Sequence, residues 1–170
     1  MANLEPPDTH ALSAAQGWLE LGNAAEALSE LAKISPAQQA HPSVLELRWS
    51  ACAATESWAP ALETATDLIR VAPENANGWL NRAYALRRVE GGGLAQAWEA
   101  LLPAVEIFPK EPVVFFNLAC YACQMGRLDE ARRKLRRAAE IGDAKDIKRM
   151  ALEDADLKPL WDELRRDLPD

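Results

Sequence analysis

The sequence predicts an all-α solenoid of four helix-turn-helix repeats followed by C-terminal capping helices. Three observations carry that prediction. Alanines recur at Ala27, Ala61, Ala97 and Ala131, with gaps of 34, 36 and 34 residues, and a fixed period of this size marks stacked helical repeats. Apolar side chains around each alanine follow spacings of three and four, which place them on one helical face. Prolines and glycines fall between those runs, where a helix has to stop.

The elements follow in order. Residues 1–8, with Pro6 and Pro7, read as a flexible N-terminal arm. The first unit, residues 9–41, turns at Gly22, carries Ala27 and Leu31 on its second helix, and breaks at Pro36, leaving a loop over 35–41. The second, residues 42–75, carries Ala61 and closes at Pro73. It has Trp49 where a small side chain is expected and Ala65 where a large one is. Either two volumes are exchanged across one helix pair, or the register slips over residues 42–56. The third unit, residues 76–111, runs Trp79, Ala83, Leu86, then Ala97, Leu101, Ala104 and Pro109. Gly91, Gly92 and Gly93 lengthen its turn by two residues, and Pro103 predicts a kink in its second helix.

The fourth unit, residues 112–142, has Phe115, Leu118, Ala119, Ala122 and Gly126, then Ala131, Leu135 and Ala138. Antiparallel helices approach closest where neither carries bulk, so Ala83 with Ala97, and Ala119 with Ala131, are the expected contacts. Residues 143–170 read as capping helices and a tail. Asp143–Glu153 is a short helix; Asp154 and Asp156 then cap another, with Leu157, Leu160, Trp161 and Leu164 on one face. The last unit of a solenoid leaves an apolar face open, and residues 156–166 are expected to cover it.

Composition excludes several functions. The 170-residue chain has a net charge of −7, against a general binder of nucleic acid or of anionic membranes. It has no apolar run long enough to span a bilayer and no basic-then-apolar leader at its N-terminus. Three cysteines, Cys52, Cys120 and Cys123, make no disulfide framework, so a reducing, cytoplasmic setting is expected. There is no Ser/His/Asp set, phosphate-binding glycine loop or metal cluster, and so no expectation of an enzyme, metal or cofactor. His10 and His41 sit beside helix starts and read as incidental.

The units resemble the tetratricopeptide repeat (TPR), whose pattern W-x2-L-G-x2-Y, A-x3-F and P extends over about 34 residues. The resemblance covers residues 9–142 and is clearest in the fourth unit, with Phe115, Leu118, Ala119, Gly126, Ala131, Leu135 and Ala138. It implies a right-handed α-α superhelix whose first helices line a concave groove for peptides. Acid-rich endings like this one are found in bacterial TPR proteins, which points to a bacterial source. The implied role is a scaffold or adaptor binding a protein or peptide, as a monomer or weak homo-oligomer. One alternative is a small chaperone resembling the type III secretion translocator chaperones.

The groove positions implied by the resemblance are Asn77, Leu80, Tyr84, Arg87 and Arg88 in the third unit and Val113, Phe116, Cys120, Cys123 and Gln124 in the fourth. In the second they are Ser43, Glu46, Ser50, Ala53 and Ala54. Leu80, Tyr84 and Phe116 beside Arg87 and Arg88 suit a peptide with an apolar anchor and a carboxylate, which the arginine fork pairs bidentately. The opposing reading is that Leu80 and Phe116 are covered by the C-terminal helices or by neighbouring first helices. The carboxylate clamp of TPR co-chaperones that hold EEVD tails uses Lys, Asn and Arg. The matching positions, Glu46 and Ser50, Leu80 and Tyr84, Phe116 and Cys120, lack it.

Cys120-Tyr-Ala-Cys123 is a C-x-x-C. It lies in mid-helix with no strand before it and no further zinc ligands near in sequence, which favours inert thiols over a redox or zinc site. The basic run Arg132, Arg133, Lys134, Arg136 and Arg137 reads as a solvated helix face, partly neutralised by Asp129, Glu130 and Glu140.

Overall fold

The computed structural model describes residues 4–167, and every regular element among them is helical. Residues 1–3 of the expected arm and 168–170 of the expected tail lie outside the described residues. The chain divides into two compact units, Met1–Gly91 and Gly92–Asp170.

The first unit contains α1 (Asp8–Glu20), α2 (Ala24–Ala32), α3 (Pro42–Ala54), α4 (Trp58–Val71) and α5 (Ala76–Leu86). Asp8, the last residue of the expected arm, opens α1 and is buried. Its carboxylate accepts the Ser35 backbone N–H (2.8 Å) and hydroxyl, fastening the start of α1 to the chain beyond α2. Between α1 and α2 the backbone reverses at Gly22, whose φ of 77° lies in the region that favours glycine. Asn23 then accepts the Glu26 N–H (3.2 Å) and satisfies one donor that the first turn of α2 cannot pair internally.

The loop after α2 contains a 3-10 turn at Pro36–Gln38. The Gln39 amide donates to the Leu31 and Ile34 carbonyls (3.0 and 2.6 Å), groups that the end of a helix leaves without partners. Pro42 begins α3, and His41 Nδ1 accepts the Ser43 N–H (3.3 Å), so His41 caps a helix.

Packing explains the repeat. Ala27 and Ala61 have no exposed surface. Ala15, Ala27, Leu31, Val44 and Ala51 share one core cluster of α1, α2 and α3. Burying a leucine such as Leu31 or Leu68 contributes about 1.5–3 kcal/mol. Trp49 is half-buried against Cys52, Ala61 and Ala85. A large side chain thus packs against small ones. At Gly78 a Cβ would sit 3.0 Å from Ile69 Cγ1 and 3.3 Å from the Ile69 backbone nitrogen. The missing side chain is what lets α5 approach α4 so closely.

The second unit contains α6 (Leu94–Leu101), α7 (Ala104–Ile107), α8 (Pro112–Gln124), α9 (Leu128–Ile141), α10 (Ala144–Glu153) and α11 (Trp161–Asp167). Pro103 does more than kink its helix: α6 ends at Leu101 and α7 starts at Ala104. The ring supplies no N–H and crowds the preceding turn, so the hydrogen-bond ladder is interrupted. α8 and α9 form an antiparallel pair, with Leu118, Ala119, Ala122 and Ala131 fully buried.

After α10, Asp154 Oδ1 accepts the Asp156 N–H (2.9 Å) and starts a 3-10 turn over Ala155–Leu160. The expected capping helix therefore begins only at Trp161, because Pro159 removes a donor that an α-helix would use. Leu157 and Leu160 are buried, and Trp161 Nε1 donates to the Ala151 carbonyl (2.9 Å). Among the described residues no helix is long and apolar enough to cross a membrane.

Candidate functional site

The groove positions expected from the sequence fall in both compact units. In the first unit the initial helices of the pairs are neighbours: α1 packs on α3, and α3 on α5. Leu12 and Gln16 of α1 and Ser43, Glu46, Leu47 and Ser50 of α3 line a shallow cleft of about 250 Å³. Glu46 Oε1 accepts from the side-chain amides of Asn75 (2.9 Å) and Asn77 (3.0 Å), so α3 and the start of α5 are joined across this face. Asn75 also accepts the Asn77 N–H (3.0 Å) and caps α5.

Positions 77, 80 and 84 recur at helical spacing along α5, and Arg88 follows just past its end. Asn77 is exposed, Leu80 half-buried, and Tyr84 37% exposed between Ala83 and Ala85, which are fully buried. The Tyr84 ring meets Trp49 edge-on (centroids 5.9 Å apart, planes at 74°) and Trp58 at a tilt (5.8 Å, 55°). The Arg88 guanidinium lies 3.5 Å from the Tyr84 ring centroid and 5.2 Å from that of Trp58. Arg88 also donates to the Tyr84 carbonyl (3.1 Å). Cations over aromatic faces gain about 0.5–2 kcal/mol depending on desolvation. The Trp49 indole Nε1 is buried without a hydrogen-bond partner among the described residues. Arg87 is half-buried beside this cluster in sequence.

Sequence reasoning placed Tyr84 and Arg88 on this face but missed their walls, Trp49 and Trp58, and missed Leu12, Gln16 and Leu47 in the cleft. One signal for the walls was present: a tryptophan at a position where the repeat calls for a small residue.

In the second unit the corresponding residues are engaged. Val113 is half-buried; Phe116, Cys120 and Cys123 are buried; Gln124 is exposed. The Cys120 thiol donates to Asp154 Oδ2 (3.5 Å), and the Gln124 amide donates to the Asp156 carbonyl (2.9 Å). The C-terminal segment thus lies over the later half of this α8 face, at Cys120 and Gln124. Burial, with Asp156 and Asp154 adding to it and Arg132 opposing, pushes the Cys123 thiol up, the opposite of an activated thiolate. Burial likewise raises the Cys52 thiol. Among the described residues no three His, Cys, Asp or Glu side chains gather as metal ligands.

The basic run is less solvated than its sequence suggests. The Arg132 guanidinium donates to both Glu163 oxygens (2.7 and 2.6 Å) and to Asp129 (2.6 Å). Those hydrogen bonds hold the Glu163 carboxyl below its ordinary range. Lys134 is half-buried beside Trp98 and Phe115, and burial lowers its ammonium pKa. Periodicity on α9 could not reveal Glu163, Trp98 or Phe115, because all three lie on other elements.

Neither a protein-family model nor a curated protein matches the chain. Solved structures do. A thermophilic TPR protein of Thermus thermophilus is similar over 94% of this chain and 84% of its own, with 20% identity and a TM-score of 0.71. MamA from Desulfovibrio magneticus RS-1, from its residue 41 onward, is similar over 80% of this chain and 76% of its own, with 17% identity and a TM-score of 0.68. At these identities the likeness concerns the fold.

Proposed function

We propose that this chain, which has the fold of the tetratricopeptide repeat proteins, is a non-enzymatic scaffold that binds a peptide or protein segment. The face of α1, α3 and α5 is the binding surface. The observation that supports this reading is the exposed Tyr84 ring, held by Trp49 and Trp58 and covered by Arg88. Tyrosine, tryptophan and arginine are the residues that dominate interface energetics. Here they are fixed in place before any partner arrives, which lowers the ordering cost of association.

The segment that fits carries an apolar side chain toward the Leu12–Leu47 cleft and a carboxylate toward Arg88. Cys120 and Gln124 instead serve to seat the C-terminal segment on α8.

The test is affinity purification from the native host with the wild type and a Tyr84→Ala/Arg88→Ala variant. Both should show the same helicity by circular dichroism. The variant should recover a specific partner about tenfold less well, an effect of about 1.4 kcal/mol. An Ile107→Ala control, at an exposed residue elsewhere, should recover it normally. Equal recovery by wild type and double variant would refute this binding face.

A further inference from the structure

Within the Met1–Gly91 unit the carboxylate of Glu46 is engaged on one side. Its Oε1 accepts from the Asn75 and Asn77 amides (2.9 and 3.0 Å). Its Oε2 accepts no hydrogen bond, and the side chain makes no ion pair, among the described residues. Both donors are neutral, so they fix the carboxylate in position and leave its charge uncompensated. The basic side chains nearest in sequence are turned elsewhere. Lys33 pairs with Glu30 (2.7 Å), and Arg48 donates to the Gln39 carbonyl (3.4 Å) and to its side-chain oxygen. The unit as a whole has eleven acidic and six basic residues, so its field also favours a cation. Glu46 lines the cleft between α1 and α3 together with the half-buried Leu12 and Leu47 and with Ser43 and Ser50.

We propose that this cleft takes a lysine side chain of the bound segment, its methylene stem against Leu12 and Leu47 and its ammonium at Glu46. The inference rests on the α1, α3 and α5 binding face and specifies what enters the cleft there. Lysine covers apolar surface with its stem while its charged head stays at a polar edge. Arginine fits less well: its fork pairs with both oxygens of a carboxylate, and two amides already occupy Oε1. A compact ammonium needs only the one free oxygen, and its other donors suit serine hydroxyls. The volume of about 250 Å³ suits one side chain, since sites for small organic molecules occupy roughly 300–1,000 Å³. Glu46 is bound to Asn77 at the start of α5, and Arg88 follows the end of that helix. The segment therefore carries a cation toward one end of the face and a carboxylate toward the other, which fixes the direction in which it lies.

The experiment is selection of short random peptides displayed on phage against the intact chain, followed by fluorescence anisotropy with the selected peptides, labelled. Lysine should be enriched at one position of the peptides selected by the wild type. Glu46→Gln retains an acceptor for the Asn75 and Asn77 amides and should enrich no basic residue, and Glu46→Lys should enrich an acidic residue instead. If Glu46→Lys does not fold, Glu46→Gln still decides. In a wild-type-selected peptide, norleucine in place of lysine keeps the stem and removes the ammonium, and should weaken binding about tenfold. Added salt should weaken the lysine peptide more than the norleucine peptide. Norleucine binding as tightly as lysine, or arginine enriched as often as lysine, would overturn the lysine site and leave the binding face standing. Unchanged binding of the selected peptides by Tyr84→Ala/Arg88→Ala would instead refute the face and leave the cleft as a lysine site of its own. Recovery of no peptide by the wild type would overturn both.

Discussion

Gly17 and Gly78 both lie inside helices, and replacing each by alanine should move stability in opposite directions. In a helix the change Gly→Ala is favourable by about 1 kcal/mol, because the unfolded chain loses freedom and the helix gains propensity. At Gly17 a new Cβ would meet nothing within 4 Å, so that gain should stand. At Gly78 it would meet Ile69 Cγ1 at 3.0 Å, the Ile69 backbone nitrogen at 3.3 Å and Leu68 Cγ at 3.3 Å. None of these atoms is the free end of a flexible side chain. Relief requires α4 and α5 to separate, and overpacking of this kind costs about 1–3 kcal/mol. The net expectation is a loss of about 1 kcal/mol for Gly78→Ala and a gain of about 0.5–1 kcal/mol for Gly17→Ala.

Because the chain has two compact units, unfolding need not be a single step. Native-state hydrogen exchange at the amides of α1, α4 and α5 therefore suits the question better than a global melt. Slower exchange in α4 and α5 of Gly78→Ala, alongside slower exchange in α1 of Gly17→Ala, would refute the close-approach argument.

Three further outcomes are expected. The Asp8 carboxyl is lowered from 3.8, first by the Ser35 hydroxyl and then by the Ser35 N–H. Its contribution is therefore present above the unfolded value and lost as pH falls through the lower folded one, so the Ser35 amide should lose exchange protection only in acid, and Asp8→Asn should remove that acid step. Ala131→Leu, at a fully buried contact of α8 and α9, should destabilise by about 1–3 kcal/mol in denaturant titration of the second unit, whereas a neutral result would show slack at that contact. Glu163→Gln should weaken the double hydrogen bond to Arg132 and speed exchange along α11, and high salt should reproduce part of that effect in the wild type but not in the variant.

The helix pairs were legible because the information lies within each helix. Ala27, Ala61, Ala97 and Ala131 are each fully buried, and a small residue at a close contact repeats wherever the contact repeats. The Asp154 cap was legible for the same reason, since it acts on backbone two residues away, whereas the caps at Asn23 and His41 were not read. Nonlocal partnerships were not. Cys120 with Asp154, Gln124 with Asp156 and Arg132 with Glu163 join positions more than thirty residues apart. No period in the sequence announces them, and the first two decide which part of the α8 face is covered. The same holds for the Tyr84 cluster, where the helical spacing identified the outward residue and only the folded chain supplied Trp49 and Trp58 beside it.

The marker alanines have a consequence for the entropy of folding. Burying a long side chain forfeits rotamer freedom worth up to about 2 kcal/mol, whereas alanine has none to lose. The positions where the marker helices lie deepest are thus those where immobilisation is least costly per residue. The rotamer-rich side chains, such as Arg133 and Arg136, stand on the exposed surface of α9 and keep their freedom. Ordering is concentrated in the backbone, and conformational freedom is left in the side chains that a partner would later have to fix.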